Sequence, residues 1–275
     1  MLTRRNLLAV AALLALASTL SHAADKSFVL ATTTSTENSG LLDSIVPQFT
    51  RQTGVDIKVV AVGTGQALEL GRRGDAAALL THDRVGEDEF VLSKHGADRR
   101  DVMFNDFILI GPSDDPADVL GSQTTAEALT RLSNSGSLFI SRGDDSGTHR
   151  KELRLWEQAQ IEVSTQSKWY IEAGGGMGQT IITTMELGGY TLSDRATWTK
   201  FSDKDDYSIA FEQSPPLFNP YSSLLVTHKA LSDEQASAAK QWHNWLTSPT
   251  GQKAIEDYRF RGQQLFFVGA PVSPG

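Results

Sequence analysis

Ser141-Arg142-Gly143-Asp144-Asp145-Ser146-Gly147-Thr148-His149 is the stretch on which the reading of the fold turns. An apolar run, Leu138-Phe139-Ile140, precedes it and reads as a buried strand. Leu153, Trp156 and Ala159 follow at helical spacing, with Ser146 or Thr148 placed to cap that helix. The stretch is therefore a strand-to-helix loop. Such a loop aims free backbone N–H groups and the positive end of a helix dipole at one spot, which suits an anion. Gly143 and Gly147 let the backbone approach closely. Ser141, Ser146 and Thr148 add hydroxyls, and Arg142 adds a planar, permanently charged fork. Alone, the loop also fits an ordinary helix cap carrying a surface arginine.

Three more loops of the same kind shift that balance. The strand Phe28–Ala31 runs into Thr32-Thr33-Thr34-Ser35-Thr36, then a helix with Leu41, Leu42, Ile45, Val46 and Phe49 on one face. The strand 55–62 runs into Gly63-Thr64-Gly65-Gln66, which has neither the lysine of a P-loop nor the spacing of a dinucleotide fingerprint. A strand over 166–172 leads to Gly174-Gly175-Gly176-Met177-Gly178 and a helix 179–187. A third strand, 77–80, ends at Thr81-His82-Asp83. No third partner for a catalytic or metal group is evident beside His82 and Asp83, so they read as loop residues.

Strands alternate with helices throughout, which gives an α/β class with mostly parallel sheets. In such sheets ligands bind at the carboxyl ends of the strands. The apolar strand 104–110 is broken by Gly111-Pro112-Ser113-Asp114-Asp115-Pro116. The proline-rich stretch 214–221 precedes a strand 223–227. These two points read as crossovers between two doubly wound domains. Domain I is expected over 24–111 and 219–275, and domain II over 112–218, with two donor-rich loops from each facing a common cleft.

Composition sets outer bounds. The chain has 275 residues, 40% of them hydrophobic and 21% charged, as in a soluble globular protein of one or two domains. Arg4 and Arg5, the apolar run 7–20 and Ser21-His22-Ala23 predict a cleaved export signal over 1–23. The remainder holds 23 basic against 33 acidic side chains, a poor match for nucleic acid or an anionic membrane. There is no cysteine, so disulfides, thiolate metal sites and a lipid-anchored cysteine are excluded. No metal site and no cofactor are expected. An exported chain without an anchor points to the periplasm or to free secretion, and a monomer in the periplasm is expected.

Thr32–Thr36, Ser141–His149, Glu172-Ala173-Gly174-Gly175-Gly176-Met177-Gly178 and Phe218-Asn219-Pro220-Tyr221 carry a resemblance. The chain resembles the periplasmic solute-binding proteins of tungstate ABC importers, the TupA type, over essentially its whole length after residue 23. That resemblance implies a type II periplasmic binding protein with its ligand between two domains. It implies capture of tungstate or molybdate and delivery to an ABC membrane permease, with no catalytic residues. Carried over, the oxyanion ligands are Thr33, Thr34, Ser35, Arg142, Ser146, Gly147 and Thr148, with Thr64 added by analogy with related oxyanion binders.

Two other functions compete. A phosphate receptor of the same superfamily has a similar arginine-led loop. Hydrogen phosphate, however, needs an acceptor in the site, and only Asp144 and Asp145 in the four loops could supply one; both are expected instead to brace Arg142 or the neighbouring amides. An oxyanion-ester enzyme would need a nucleophile beside a base. His149 near Ser146, Asp144 and Asp145 is the nearest approach to such a set.

Overall fold

Paired loops at the ends of paired strands are the organising feature of the computed structural model, which describes residues 26–164, 166–201, 204, 206–212 and 215–269. The expected export signal, 1–23, lies outside the described residues. In chain order, β1 (Ser27–Thr33) leads into a short α1 (Thr34–Asn38) and then α2 (Leu41–Thr53). They are followed by β2 (Asp56–Val62), α3 (Thr64–Arg73), β3 (Ala78–Thr81), α4 (Arg84–Leu92) and the long β4 (Gly96–Pro112). Next come α5 (Thr125–Ser135), β5 (Phe139–Ser141), α6 (Gly147–Gln158), β6 (Tyr170–Glu172), α7 (Met177–Leu187) and β7 (Thr191–Asp194). The chain continues through α8 (Arg195–Lys200), β8 (Tyr207–Phe211), β9 (Phe218–Val226), α9 (Asp233–Leu246) and α10 (Pro249–Glu256). A small hairpin of β10 (Arg259–Phe260) and β11 (Gln263–Gln264) comes last.

One sheet runs in the order β2-β1-β3-β9-β4-β7, with β8 also on β4. The pairs β1–β2 and β1–β3 are parallel, and Thr33 lies opposite Val62. The pair β5–β6 is likewise parallel, with Ser141 opposite Glu172, and Phe139 bridges in parallel to Tyr190. Adjacent parallel strands end side by side, so each pair delivers two loops to one place. Loop 32–36 emerges beside 63–66, and loop 141–148 beside 174–178. The remaining pairings are antiparallel, because β4 and β9 are the strands that pass between the two halves. The sheets are thus mixed rather than mostly parallel.

Two large apolar clusters flank this frame. The first holds Phe28, Leu41, Ile45, Phe49, Tyr221, Trp242 and Phe266. It uses the one buried face of α2, as the helical spacing there requires. The second holds Phe107, Leu132, Phe139, Trp156, Tyr170 and Tyr190. The tail at Leu265-Phe266 packs into the first cluster, and Phe267 bridges to Phe104.

Several elements differ from the sequence expectation. The strand expected at 104–110 begins at Gly96, because residues 96–103 pair with β9 even though their outward side chains are charged. Helix α4 had no clear sequence signal. The strand expected over 166–172 is regular only at Tyr170–Glu172. The stretch Phe218–Tyr221, read as a connection, is already β9, with Pro220 opposite Phe104.

Candidate functional site

Thr33 ends β1 and caps α1. Its hydroxyl accepts the Thr36 N–H at 3.3 Å and lies 2.6 Å from the Thr36 hydroxyl and 3.1 Å from that of Ser35. Three of the five consecutive hydroxyl residues, Thr33, Ser35 and Thr36, therefore knot together at the mouth of a helix, while the Thr32 hydroxyl donates to the Leu80 carbonyl at 2.8 Å; Thr32, Thr33, Ser35 and Thr36 are buried. In the neighbouring loop Gly63 caps α3 without any side-chain bond, so Thr64 is the only hydroxyl there.

Across the cleft, Ser146 caps α6 by accepting the His149 N–H at 3.2 Å. The first-turn N–H groups of α6, those of Gly147 and Thr148, have no carbonyl within the helix to accept them. Gly143 has a φ of 58°, and a Cβ there would lie 2.6 Å from the Cβ of Glu172, so only glycine fits. At Gly147 the reason is close approach. A Cβ would meet the His82 ring at 2.8 Å and the Thr64 hydroxyl at 2.9 Å. The start of α6 is thus seated directly on the ends of the strands of the other half.

Arg142 is 3% exposed. Its Nη2 donates to Asp144 Oδ2 at 2.5 Å and its Nε to the Gly175 carbonyl at 3.4 Å. Asp144 Oδ1 also accepts the Ser146 N–H at 3.1 Å. Asp145 pairs with Arg150, taking two bonds of 2.9 Å from its guanidinium. Neither aspartate is free of a donor. A cavity of about 490 Å³ opens beside Arg142, and Thr34, Gly63, Gly65, Gln66, Glu69, Arg142, Asp144, Asp145 and Gly176 line it. All four loops contribute.

Of the sequence-derived candidates, Thr34 and Arg142 line this cavity. Thr33 and Ser35 lie in the hydroxyl knot, while Thr64 and Gly147 meet at the contact between the halves. Ser146 serves as the cap. The hydroxyls of Thr64 and Thr148 are buried without any hydrogen-bond partner among the described residues. Orphaned buried hydroxyls cost about 1–3 kcal/mol each, so native folds keep them for a reason.

Sequence reading missed what stands behind these loops. His82 contacts Thr33, Ser35 and Asn219 through its two ring nitrogens. Asp83 is 2% exposed at its side chain and pairs with Arg150 and Arg154 at 3.1 Å each. Glu152 is buried under the Arg142 loop. It accepts from the Ser141 hydroxyl at 2.9 Å and the Tyr170 hydroxyl at 2.7 Å, and burial pushes its carboxyl up to about 7. Asp194 is buried beside Arg142; burial raises its carboxyl while bonds from Thr197 and the charge of Arg142 oppose the rise. The partners of His82 and Asp83 lie far away in sequence, at Asn219 and on α6. Only the quoted Phe218-Asn219-Pro220-Tyr221 motif hinted at one of them.

Among the described residues no group of three or more His, Asp or Glu could hold a metal, and no helix is long and apolar enough to cross a membrane. A sequence profile of the PBP superfamily domain matches residues 17–250. The tungstate-binding protein TupA of Peptoclostridium acidaminophilum is 41% identical over 254 residues, covering 90% of this chain and 84% of that one. The solved TupA structure from Desulfovibrio alaskensis is 41% identical with a TM-score of 0.78, covering 89% of this chain and 99% of that one. A tungstate ABC transporter structure from Geobacter sulfurreducens is 44% identical with a TM-score of 0.77, covering 84% and 98%. The chain therefore belongs to the PBP superfamily and, within it, to the family of the tungstate-binding TupA proteins.

Proposed function

We propose that this protein is an exported receptor that captures tungstate, or molybdate, and hands it to the membrane permease of an ABC importer. One observation carries the reading. Two pairs of donor loops close on a single small cavity, and the one cation lining it, Arg142, is buried and already oriented. Thr34, Ser35, Thr64, Arg142, Gly147 and Thr148 would supply hydroxyls, amides and one guanidinium to a tetrahedral dianion, with Thr33 and Ser146 holding the loops. Residues 24–111 with 219–275 would form one domain and 112–218 the other, and the ligand would sit between them. The receptor would act as a monomer in the periplasm, without cofactor and without catalysis.

The phosphate alternative needs an acceptor in the site. Each carboxylate lining the cavity is engaged: Asp144 with Arg142 and the Ser146 amide, Asp145 with Arg150, and Glu69 with Arg72 at 3.5 Å. A fully deprotonated dianion suits such donors, whereas a free carboxylate would repel it. A thermal-shift panel with tungstate, molybdate, sulfate and phosphate tests the proposal. A ligand at 100 times its Kd stabilises the folded state by about 2.7 kcal/mol. Tungstate should raise the melting temperature and phosphate should not. A shift with phosphate that disappears in Asp144→Asn would assign the site to phosphate, and no shift with any of the four would remove the oxyanion reading.

A further inference from the structure

His82 sits where β3 ends, 6% exposed, directly beneath the hydroxyl knot. Its Nδ1 is 3.0 Å from Asn219 Oδ1. The Asn219 amide is itself fixed. Its Nδ2 donates to Asn105 Oδ1 at 2.8 Å and to the Tyr221 hydroxyl at 3.2 Å, so its carbonyl oxygen faces the ring. An acceptor facing Nδ1 places the proton of a neutral imidazole there and leaves a lone pair on Nε2. That lone pair faces Thr33 Oγ1 at 3.2 Å and Ser35 Oγ at 3.3 Å. It can take one O–H proton, not two.

The two hydroxyls lie 3.1 Å from each other, and Thr33 Oγ1 also receives the Thr36 N–H and lies 2.6 Å from the Thr36 hydroxyl. A single acceptor at Nε2 therefore fixes the direction of a linked set of O–H bonds. We propose that His82, anchored by Asn219, is the positioning residue of the anion site: its Nε2 takes one O–H proton of the Thr33–Ser35 pair and so holds the hydroxyl knot in one pattern behind the cavity-lining Thr34. This rests on the oxyanion reading above.

The ring stays neutral in the physiological range. Burial holds it down at about 4, with Arg142 and Arg154 adding to the depression and Asn219 and Asp83 opposing it. Arg84, Lys151 and Arg154 line a second cavity that His82 also borders. Tyr221 and Phe107 cover its faces, with ring centroids at 4.8 and 6.4 Å. A neutral ring that cannot titrate keeps the hydroxyl pattern constant from about pH 6.5 to 8.5, where no other proposed ligand titrates by its ordinary value.

Two measurements test this. Nitrogen-15 imidazole shifts of the native protein should show His82 protonated at Nδ1 and bare at Nε2 between about pH 6 and 8. A proton on Nε2 would overturn the proposal. Asn219→Asp should place a carboxylate against Nδ1, raise the ring into the neutral range and convert Nε2 into a donor beneath the anion. Tungstate Kd in Asn219→Asp should then fall about fivefold or more from pH 8.5 to 6.5, while the native Kd changes less than about twofold. A ring that stays neutral in that variant, or one that titrates while the Kd remains flat, refutes the role. The native Kd is measured first. If tungstate does not bind at all, the receptor reading fails, and the tautomer measurement still stands on its own.

Discussion

Arg142 is a buried guanidinium whose only ion pair among the described residues is Asp144. Charge-assisted hydrogen bonds contribute roughly 1.5–3 kcal/mol each. Arg142→Ala should therefore weaken tungstate binding at least about tenfold by calorimetry, and Arg142→Lys should recover only part of the loss because it lacks the planar fork. Equal affinity in Arg142→Ala would remove it from the ligand set. Glu152 behaves differently because it lies behind the loop. Its carboxyl titrates near 7 in the folded protein against an ordinary 4.5. Between those values the folded chain binds more protons than the unfolded one, so its stability falls as pH rises through the window. A shift of this size corresponds to about 3 kcal/mol. Glu152→Gln should be more stable than the native protein at pH 8 by up to that amount, with little gain at pH 4. Denaturant curves at both pH values check it; an equal difference at both would mean the effect is packing rather than titration. Arg142 and the hydroxyls were legible in the sequence because their chemistry is local. Glu152 was not, since nothing marks a helical glutamate as inward-facing until β6 brings Tyr170 over it.

At the scale of elements, strand–loop–helix units were readable because each carries its own period and cap. Ser146, Thr33 and the glycine-entered α7 all sit at helix starts, as their sequence positions suggested. What could not be read was how α4 and α6 meet. Asp83, at the entrance to α4, pairs with Arg150 and Arg154 on successive turns of α6. About seventy residues of chain separate the partners, and only tertiary contact reveals them. These ion pairs bridge the two halves, so they contribute to whatever state holds the halves together. Asp83→Asn should weaken tungstate binding about three- to tenfold, because it leaves two partly buried guanidinium groups short of a carboxylate. Combining it with Arg154→Gln should cost less than the sum of the two single changes. A double-mutant cycle with strictly additive losses would show that the contact does not couple to binding.

For the whole molecule, the two join points read from glycine and proline correspond to the long β4 and β9, which both halves use. Their breaks were visible at Gly111-Pro112 and around Pro220. Their continuity was not, because charged residues at 98–101 and a proline in β9 conceal strand character. If the halves rotate about these strands to enclose the ligand, small-angle scattering should show a smaller radius of gyration with tungstate than without. Superimposable curves would indicate a preformed site.

The position of β9 bears on how the chain acquires its shape. It lies between β3 and β4, with Ala78 opposite Leu225 and Ala97 also opposite Leu225 on its other side. While the chain emerges from the ribosome or through a membrane, β3 and β4 are complete long before their shared neighbour exists. Each then presents an unpaired edge, the kind of surface on which chains aggregate. The first core closes only when nearly the entire polypeptide is available, and pairings so distant in sequence form slowly. A signal that keeps the chain unfolded until it has crossed the membrane would therefore suit this topology, since the two parts of its sheet, β2-β1-β3 and β7-β4-β8, cannot join until β9 is present.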